Sequence, residues 1–191
     1  ESSDSGYYLR ASNLTSKLSE TIDNWVILES NDIALISSVT TSLSTQAASK
    51  KITLLTTDKG SAYQSDDISN ITLMRLNFHF PSVARSYTEN HAGFVQAYAD
   101  KYGYVSNSYA VRGYDLTFDT ILRLAAAESL YNAADAGYIT QYVENKFKYV
   151  QDPVSAGYFN TAAYILKYGE NLEEIVVEIP SDQGTSSYLK N

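Results

Sequence analysis

Two short runs without polar alternation, Trp25-Val26-Ile27-Leu28 and Ile52-Thr53-Leu54-Leu55, constrain this chain more than any other feature. A strand with one wet face alternates apolar and polar residues. A run without that alternation reads as a strand covered on both faces, the condition of a parallel sheet. Glu29, Ser30, Asn31 and Asp32 follow the first run, and any of the last three can cap a helix. Ile33, Ile36, Val39 and Leu43 then recur at helical spacing, which predicts a helix over 33–48. Lys50 and Lys51 suit its negative pole. After the second run, Thr56-Thr57-Asp58-Lys59-Gly60 make a turn, and the polar stretch 61–70 holds at most a short, weak helix.

Further along, 71–80 reads as a third strand, half-buried or beside a cleft. Met74, Leu76, Phe78 and Phe80 share one face, Arg75, Asn77 and His79 the other, and Pro81 stops it. Residues 91–102 read as a helix with Phe94, Val95, Tyr98 and Tyr102 on one stripe and Gly103 as its terminator. His91 opens it and is expected to be solvated. Strand potential at 109–111 precedes a long helix, 114–130, marked by Tyr114, Phe118, Ile121, Leu122 and Ala125. The segment 146–150 is strand-like, and strands over 162–168 and 172–179 meet around Gly169-Glu170-Asn171, a hairpin signal. Strand and helix alternate with short connections, which implies an α/β class with a doubly wound, mainly parallel sheet and a C-terminal β-hairpin. The expected divisions are a lead-in over 1–20 (disordered at 1–6, with a short helix at 12–18), an α/β region over 21–131, a returning β-rich segment over 132–180 and a frayed tail over 181–191.

The 191 residues suffice for one domain or one lobe of a two-lobe protein. A net charge of −8 argues against a nucleic-acid partner, which needs clustered Lys and Arg. The absence of Cys removes disulfides, thiolate metal sites and cysteine nucleophiles. No apolar run approaches the roughly 20 residues that span a bilayer. Tyrosine is abundant, 17 copies, and its apolar ring with a hydroxyl handle suits half-buried positions and binding surfaces alike.

Motifs for chemistry are missing. The nine glycines form neither a dinucleotide nor a phosphate loop, there is no HExxH and no GxSxG, and His79 and His91 are the only histidines. No catalytic residue, metal site or cofactor is therefore assigned. Ser82, His79 and Asp58 are conceivable neighbours for a hydrolytic triad, but a histidine hydrogen-bonded at a polar strand edge is the simpler reading. Asn13-Leu14-Thr15 and Asn70-Ile71-Thr72 match the glycosylation sequon at near-chance frequency.

The positive signal is positional. Ligands of open α/β sheets bind beyond the carboxyl ends of the strands. Three strand tips are expected side by side, carrying Glu29, Ser30 and Asn31, then Thr57, Asp58 and Lys59, then His79 and Phe80. Together they would line a site for a small polar solute, although capping by 30–32 and a plain turn at 58–60 explain the same residues. Arg112-Gly113-Tyr114-Asp115 stands at the expected strand-to-helix junction, where Asp115 favours the positive helix end and Arg112 pairs with a carboxylate or reaches the ligand.

The stretch 24–127 resembles the C-terminal lobe of type I periplasmic binding proteins of the branched-chain amino acid receptor type. The resemblance lies in NWVILESND, KITLLTTDKG, LMRLNFHFP and FVQAYADKYG, followed by YAVRGYDLTFDTILRLA. Phe94, Tyr98, Lys101, Tyr102 and Gly103, then Tyr109, Ala110, Tyr114 and Asp115, fall at the family's pattern positions. The C-terminal GYFNTAAYILKYGENLEEIVV looks like the closing strands of that fold. The wording is nearest to exported members sometimes fused to LysM peptidoglycan-binding repeats, and no LysM repeat is present. The resemblance implies one lobe of a Venus-flytrap protein that traps a solute by hinge closure, without chemistry, in the periplasm or cell envelope. It implies as partners the missing N-terminal lobe, an amino acid, peptide or sugar-like solute, and transporter (amino acid ABC type) or cell-wall components. It places second-lobe contacts at Glu29, Ser30, Asn31, Asp58 and Lys59. Alternatives are an envelope interaction domain without a solute, the effector domain of a transcription regulator and, more remotely, an α/β hydrolase-like enzyme.

Overall fold

The computed structural model describes residues 2–3, 6–7, 9–86, 92–155 and 157–178. The chain divides into two compact units: Glu1–Pro81 with Ile165–Val177, and Ser82–Tyr164 with Glu178–Asn191. The boundary expected at 131 falls inside the second unit. His91 and the tail over 181–191 lie outside the described residues.

In unit 1, β1 (Ser2–Ser3) and β2 (Gly6–Tyr7) pair antiparallel, where a disordered lead-in was expected, and α1 (Ala11–Thr15) follows. Then come β3 (Asn24–Ile27), α2 (Ile33–Gln46), β4 (Ile52–Leu55), a single 3-10 turn (Ser61–Gln64), α3 (Asn70–Arg75) and β5 (His79–Ser82). Further along the chain are α4 (Ala92–Tyr102), α5 (Ser108–Ala126), α6 (Leu130–Asp135), the short strands β6 (Thr140–Gln141), β7 (Lys146–Phe147), β8 (Tyr149–Gln151) and β9 (Tyr158–Asn160), and the hairpin β10 (Tyr164–Tyr168) and β11 (Glu174–Val176).

The molecule is α/β with a mixed sheet of order β11-β10-β5-β4-β3. β3, β4 and β5 run parallel, as expected from the apolar runs, and β10–β11 form the antiparallel hairpin expected around 169–171. At that turn the side-chain ends of Glu173 and Ile175 lie over Gly169, 2.5 Å from where a Cβ would stand, and would have to shift for a larger residue. Asp32 caps α2, its carboxylate accepting from Leu35 N at 2.8 Å, and Ile36, Val39 and Leu43 form the buried stripe. Gly103, at φ 78°, takes the left-handed conformation that ends α4.

Three expectations need correction. Residues 71–80 are not one strand. Ser69 caps α3 through Thr72 N, Leu73 and Leu76 are buried at helical spacing, and Asn77 at φ 47° ends the turn before β5. The same apolar residues fit period 2 from Leu76 onward, which is why the pattern alone misleads. Residues 109–111 are helical, since Asn107 accepts from Ala110 N at 2.9 Å and starts α5 at Ser108.

The third correction concerns β3, which is not covered on both faces. Register places Trp25, Ile27, Thr53, Leu55 and His79 on one face of the sheet. Leu54, Phe78 and Phe80 lie on the other, buried with Leu43 and Tyr63. The strands advance in one direction from β3 through β4 to β5, and right-handed crossovers put both connections on the same face. α2 packs there on the 3-10 turn and α3. The opposite face has no helix from unit 1, and Trp25 and Ile27 are 69% and 68% exposed.

Candidate functional site

The carboxyl ends of β3 and β4 meet the start of β5: Leu28 N donates to Leu55 O and Thr56 N to His79 O. Parallel pairing therefore brings Glu29–Asn31 and Thr57–Lys59 to one rim, whereas His79 and Phe80, expected at the tip of the third strand, open β5, with His79 level with Leu55. The rim residues differ in what they leave open.

Glu29 is fully engaged, one carboxylate oxygen accepting from Thr57 N at 2.6 Å and the other from Thr57 Oγ1 at 3.0 Å. Ser30 Oγ accepts from Asp32 N at 3.0 Å and shapes the approach to α2. The Asn31 amide oxygen lies over Gly60, 2.9 Å from where a Cβ would stand. Thr56 Oγ1 donates to Asp58 O, closing the turn while the Asp58 side chain stays exposed.

Lys59 is enclosed rather than extended. Its Nζ pairs with Glu174 at 3.1 Å and lies 3.8 Å from the Phe80 ring centroid and 4.8 Å from that of Tyr168. Such a cation over two aromatic faces, with the side chain 12% exposed, joins the β4 turn to the hairpin. Phe80 is 3% exposed, belongs to the core and offers no aromatic face to a solute. His79 Nδ1 lies 2.6 Å from Asn77 O, so Nδ1 carries the proton and Nε2 is the acceptor in the neutral ring. The groups left for a solute are the Asn31 amide, the Asp58 carboxylate and His79 Nε2.

Beside the rim, Asn31, Asp32, Ser37 and Asp67 line a shallow open depression with Ile33 and Ala34. Asp67 was not among the expected site residues; the Asp66-Asp67 pair in the polar stretch was its only signal. No group of three or more His, Asp or Glu among the described residues is placed to hold a metal.

Arg112 belongs to unit 2 and is exposed in the second turn of α5, not at a strand-to-helix junction. Its neighbour Asp115 is fully buried and accepts four hydrogen bonds: from Val143 N, Glu144 N, Asn145 N and Asn145 Nδ2, at 2.9–3.2 Å. Asp119, one turn on, is also fully buried and pairs with Arg123 Nε at 2.7 Å. Val111, Asp115, Asp119 and Arg123 thus form the buried face of α5. The apolar residues that mark the helix in the sequence lie on its outer side: Tyr114, Phe118 and Ile121 are 41%, 38% and 56% exposed. Burial pushes the Glu144 carboxyl above its ordinary value, with Asp115 adding to it and Arg112 opposing.

The tyrosines assemble into a contiguous run in unit 2. Tyr104, Tyr98, Phe94, Tyr114, Phe118, Tyr142, Phe147 and Tyr149 touch in sequence, with centroid separations of 4.4–6.1 Å. Burial pushes the hydroxyls of Tyr63, Tyr142 and Tyr164 up to about 12, Asp119 contributing at Tyr142. A raised folded-state value means the unfolded chain releases these protons first. Their contribution is therefore complete below pH 10, and it is lost as pH rises from about 10 to about 12. Alkaline titration should show circular-dichroism loss and tyrosinate absorbance rising together in that window. Tyrosinate appearing near pH 10 with the fold intact would contradict this.

No protein-family model, curated protein or solved structure matches the chain.

Proposed function

We propose that this chain is a non-catalytic, exported solute-binding or ligand-sensing module, one part of a two-lobe binding protein of the type I periplasmic class. The observation that carries the reading is the parallel pairing of β3 and β4, whose carboxyl ends lead into Asn31 and the exposed Asp58 beside the start of β5, where His79 keeps Nε2 as an acceptor. Such a set suits a small zwitterionic or hydroxylated solute, with Asp58 meeting an ammonium or hydroxyl donor. The outward apolar stripe of α5 supports the reading too, since a helix with a polar buried face and an apolar outer one fits a larger assembly.

A second reading has its own observation. Glu29 is engaged by Thr57 and Lys59 by Glu174, which supports a rim that has lost solute binding and serves an envelope interaction domain. Thermal-shift and calorimetric titration with amino acids, short peptides, sugars and muropeptides separates the two. The solute reading expects one class to raise the melting temperature and Asp58→Ala to abolish that rise. Absence of a shift with every class supports the interaction domain.

A further inference from the structure

We infer that Phe80, Tyr168 and Glu174 form a binding cage for the primary ammonium of a small alkylamine, and that Lys59 occupies it as a tethered, displaceable stand-in. The inference does not rest on the rim solute: the cage residues are other than Asn31, Asp58 and His79. The present occupant shows the chemistry the cage takes. The Lys59 Nζ lies 3.8 Å from the Phe80 ring centroid, 4.8 Å from that of Tyr168 and 3.1 Å from Glu174 Oε1. Two ring faces and a carboxylate oxygen recognise an ammonium, the rings through their quadrupoles and the carboxylate through a charge-assisted hydrogen bond.

The walls and the plug come from different kinds of structure. Phe80 is on β5, Tyr168 on β10 and Glu174 on β11, three neighbouring strands, and Tyr168 stands directly opposite Glu174 in the hairpin register. Phe80 is 3% exposed and its ring centroid lies 5.6 Å from that of Tyr168, so the sheet and its core set the walls. Lys59 instead arrives from the turn after β4, on a flexible four-carbon stem. The Glu174 side chain is 36% exposed against 12% for Lys59. The cage therefore has a wet side, where an amine enters past Glu174 and the carboxylate stays hydrated when Lys59 leaves. A partly exposed ion pair holds weakly by itself. Lys59 wins its place through the tether, which presents its ammonium at an effective concentration on the order of millimolar. A free amine competes on those terms.

The probe is n-butylammonium chloride, whose cation copies the lysine side chain, titrated into the full chain at constant ionic strength with n-butanol as the neutral control. In the wild type, the Lys59 Cε proton resonances start displaced by the ring currents of Phe80 and Tyr168. They are expected to move saturably to the ordinary lysine position as the amine enters. This arm needs no variant to fold. Lys59→Ala removes the competitor and should bind the amine about threefold or more tightly than the wild type, read from the Tyr168 ring resonances. Adding Glu174→Gln to Lys59→Ala should weaken that binding about fivefold, since the hydrogen bond loses its charge. Lys59 resonances that stay in place throughout the titration overturn the proposal, as does n-butanol binding as tightly as n-butylammonium. A folded Lys59→Ala chain without saturable amine binding overturns it too and leaves Lys59 in a fixed structural contact.

Discussion

Exchange of Arg123 for Met is expected to cost about 3–5 kcal/mol, the usual consequence of leaving one buried partner of an ion pair uncompensated. Arg123 is 6% exposed and does more than pair with Asp119. Its Nη1 donates to Ala133 O at 3.3 Å, and its Nη2 donates to Thr140 Oγ1 at 3.1 Å and Tyr138 O at 3.4 Å. The guanidinium also lies 4.8 Å from the Tyr149 ring centroid. Asp119 accepts from Thr140 Oγ1 and, at 3.0 Å, from Tyr142 OH. One planar fork therefore ties α5 to the end of α6 and to β6, and Lys could not reproduce it. In Arg123→Met the Asp119 carboxylate keeps two neutral donors but loses its charge partner. The double variant Asp119→Leu with Arg123→Met should recover part of the loss, since an apolar pair leaves no buried charge. Recovery stays incomplete because Thr140, Tyr142 and the two carbonyls lose partners. Urea denaturation of the four proteins in a double-mutant cycle measures the coupling. A single-variant cost below about 1 kcal/mol would mean that the network is a surface-like pair, contrary to its burial.

This network also marks the limit of what the sequence reveals. The strands β3 and β4, the α2 stripe, the Gly103 terminator and the hairpin at 169–171 are legible because local residues determine them: apolar runs, a capping aspartate, a glycine in left-handed conformation, a tight turn. α5 is legible as a helix but not in orientation. Its Tyr, Phe, Ile and Leu residues carry the hydrophobic signal, yet its buried face is built from Val111, Asp115, Asp119 and Arg123, and the burial of the three charged groups is compensated largely by residues 133–145. Non-local hydrogen bonds leave no periodic trace except the i, i+4, i+8 spacing itself. α3 escapes because Leu73, Leu76, Phe78 and Phe80 fit two periods, and a left-handed Asn77 decides between them. The bare sheet face follows from strand order and crossover hand, neither of which an apolar run encodes. At the rim, the strand tips are positioned as parallel pairing dictates. The inward turn of Lys59 and the burial of Phe80 depend on Tyr168 and Glu174, far along the chain.

Asp115→Ala is expected to be comparably damaging, about 3–5 kcal/mol, for a different reason. Among the described residues no cation pairs with this carboxylate; it is held by N–H donors, and it holds the 143–145 turn in return. The Oδ2 atom takes Glu144 N at 3.0 Å with Asn145 N and Nδ2 at 2.9 Å each, while Oδ1 takes Val143 N at 3.2 Å. Truncation strands those donors around a cavity, and each buried orphan costs about 1–3 kcal/mol. Asp115→Asn separates shape from charge. Its amide oxygen can occupy the Oδ2 position and keep three bonds, but its NH2 then confronts Val143 N, so a smaller loss of about 1–3 kcal/mol is expected. The order wild type, Asn, Ala is the test of the hydrogen-bond count. Amide exchange gives a local readout that general destabilisation does not: the 143–145 amides should lose protection ahead of those in α5. Glu144 supplies the pH arm. Because its folded-state value is raised, by burial first and Asp115 second, its contribution is complete below its ordinary value and lost as pH rises past it. Asp115→Asn removes the Asp115 part, so its stability should fall less with pH across that window than that of the wild type. Identical stabilities for Asn and Ala, with unchanged exchange at 143–145, would show that the turn is held by its own backbone rather than by Asp115.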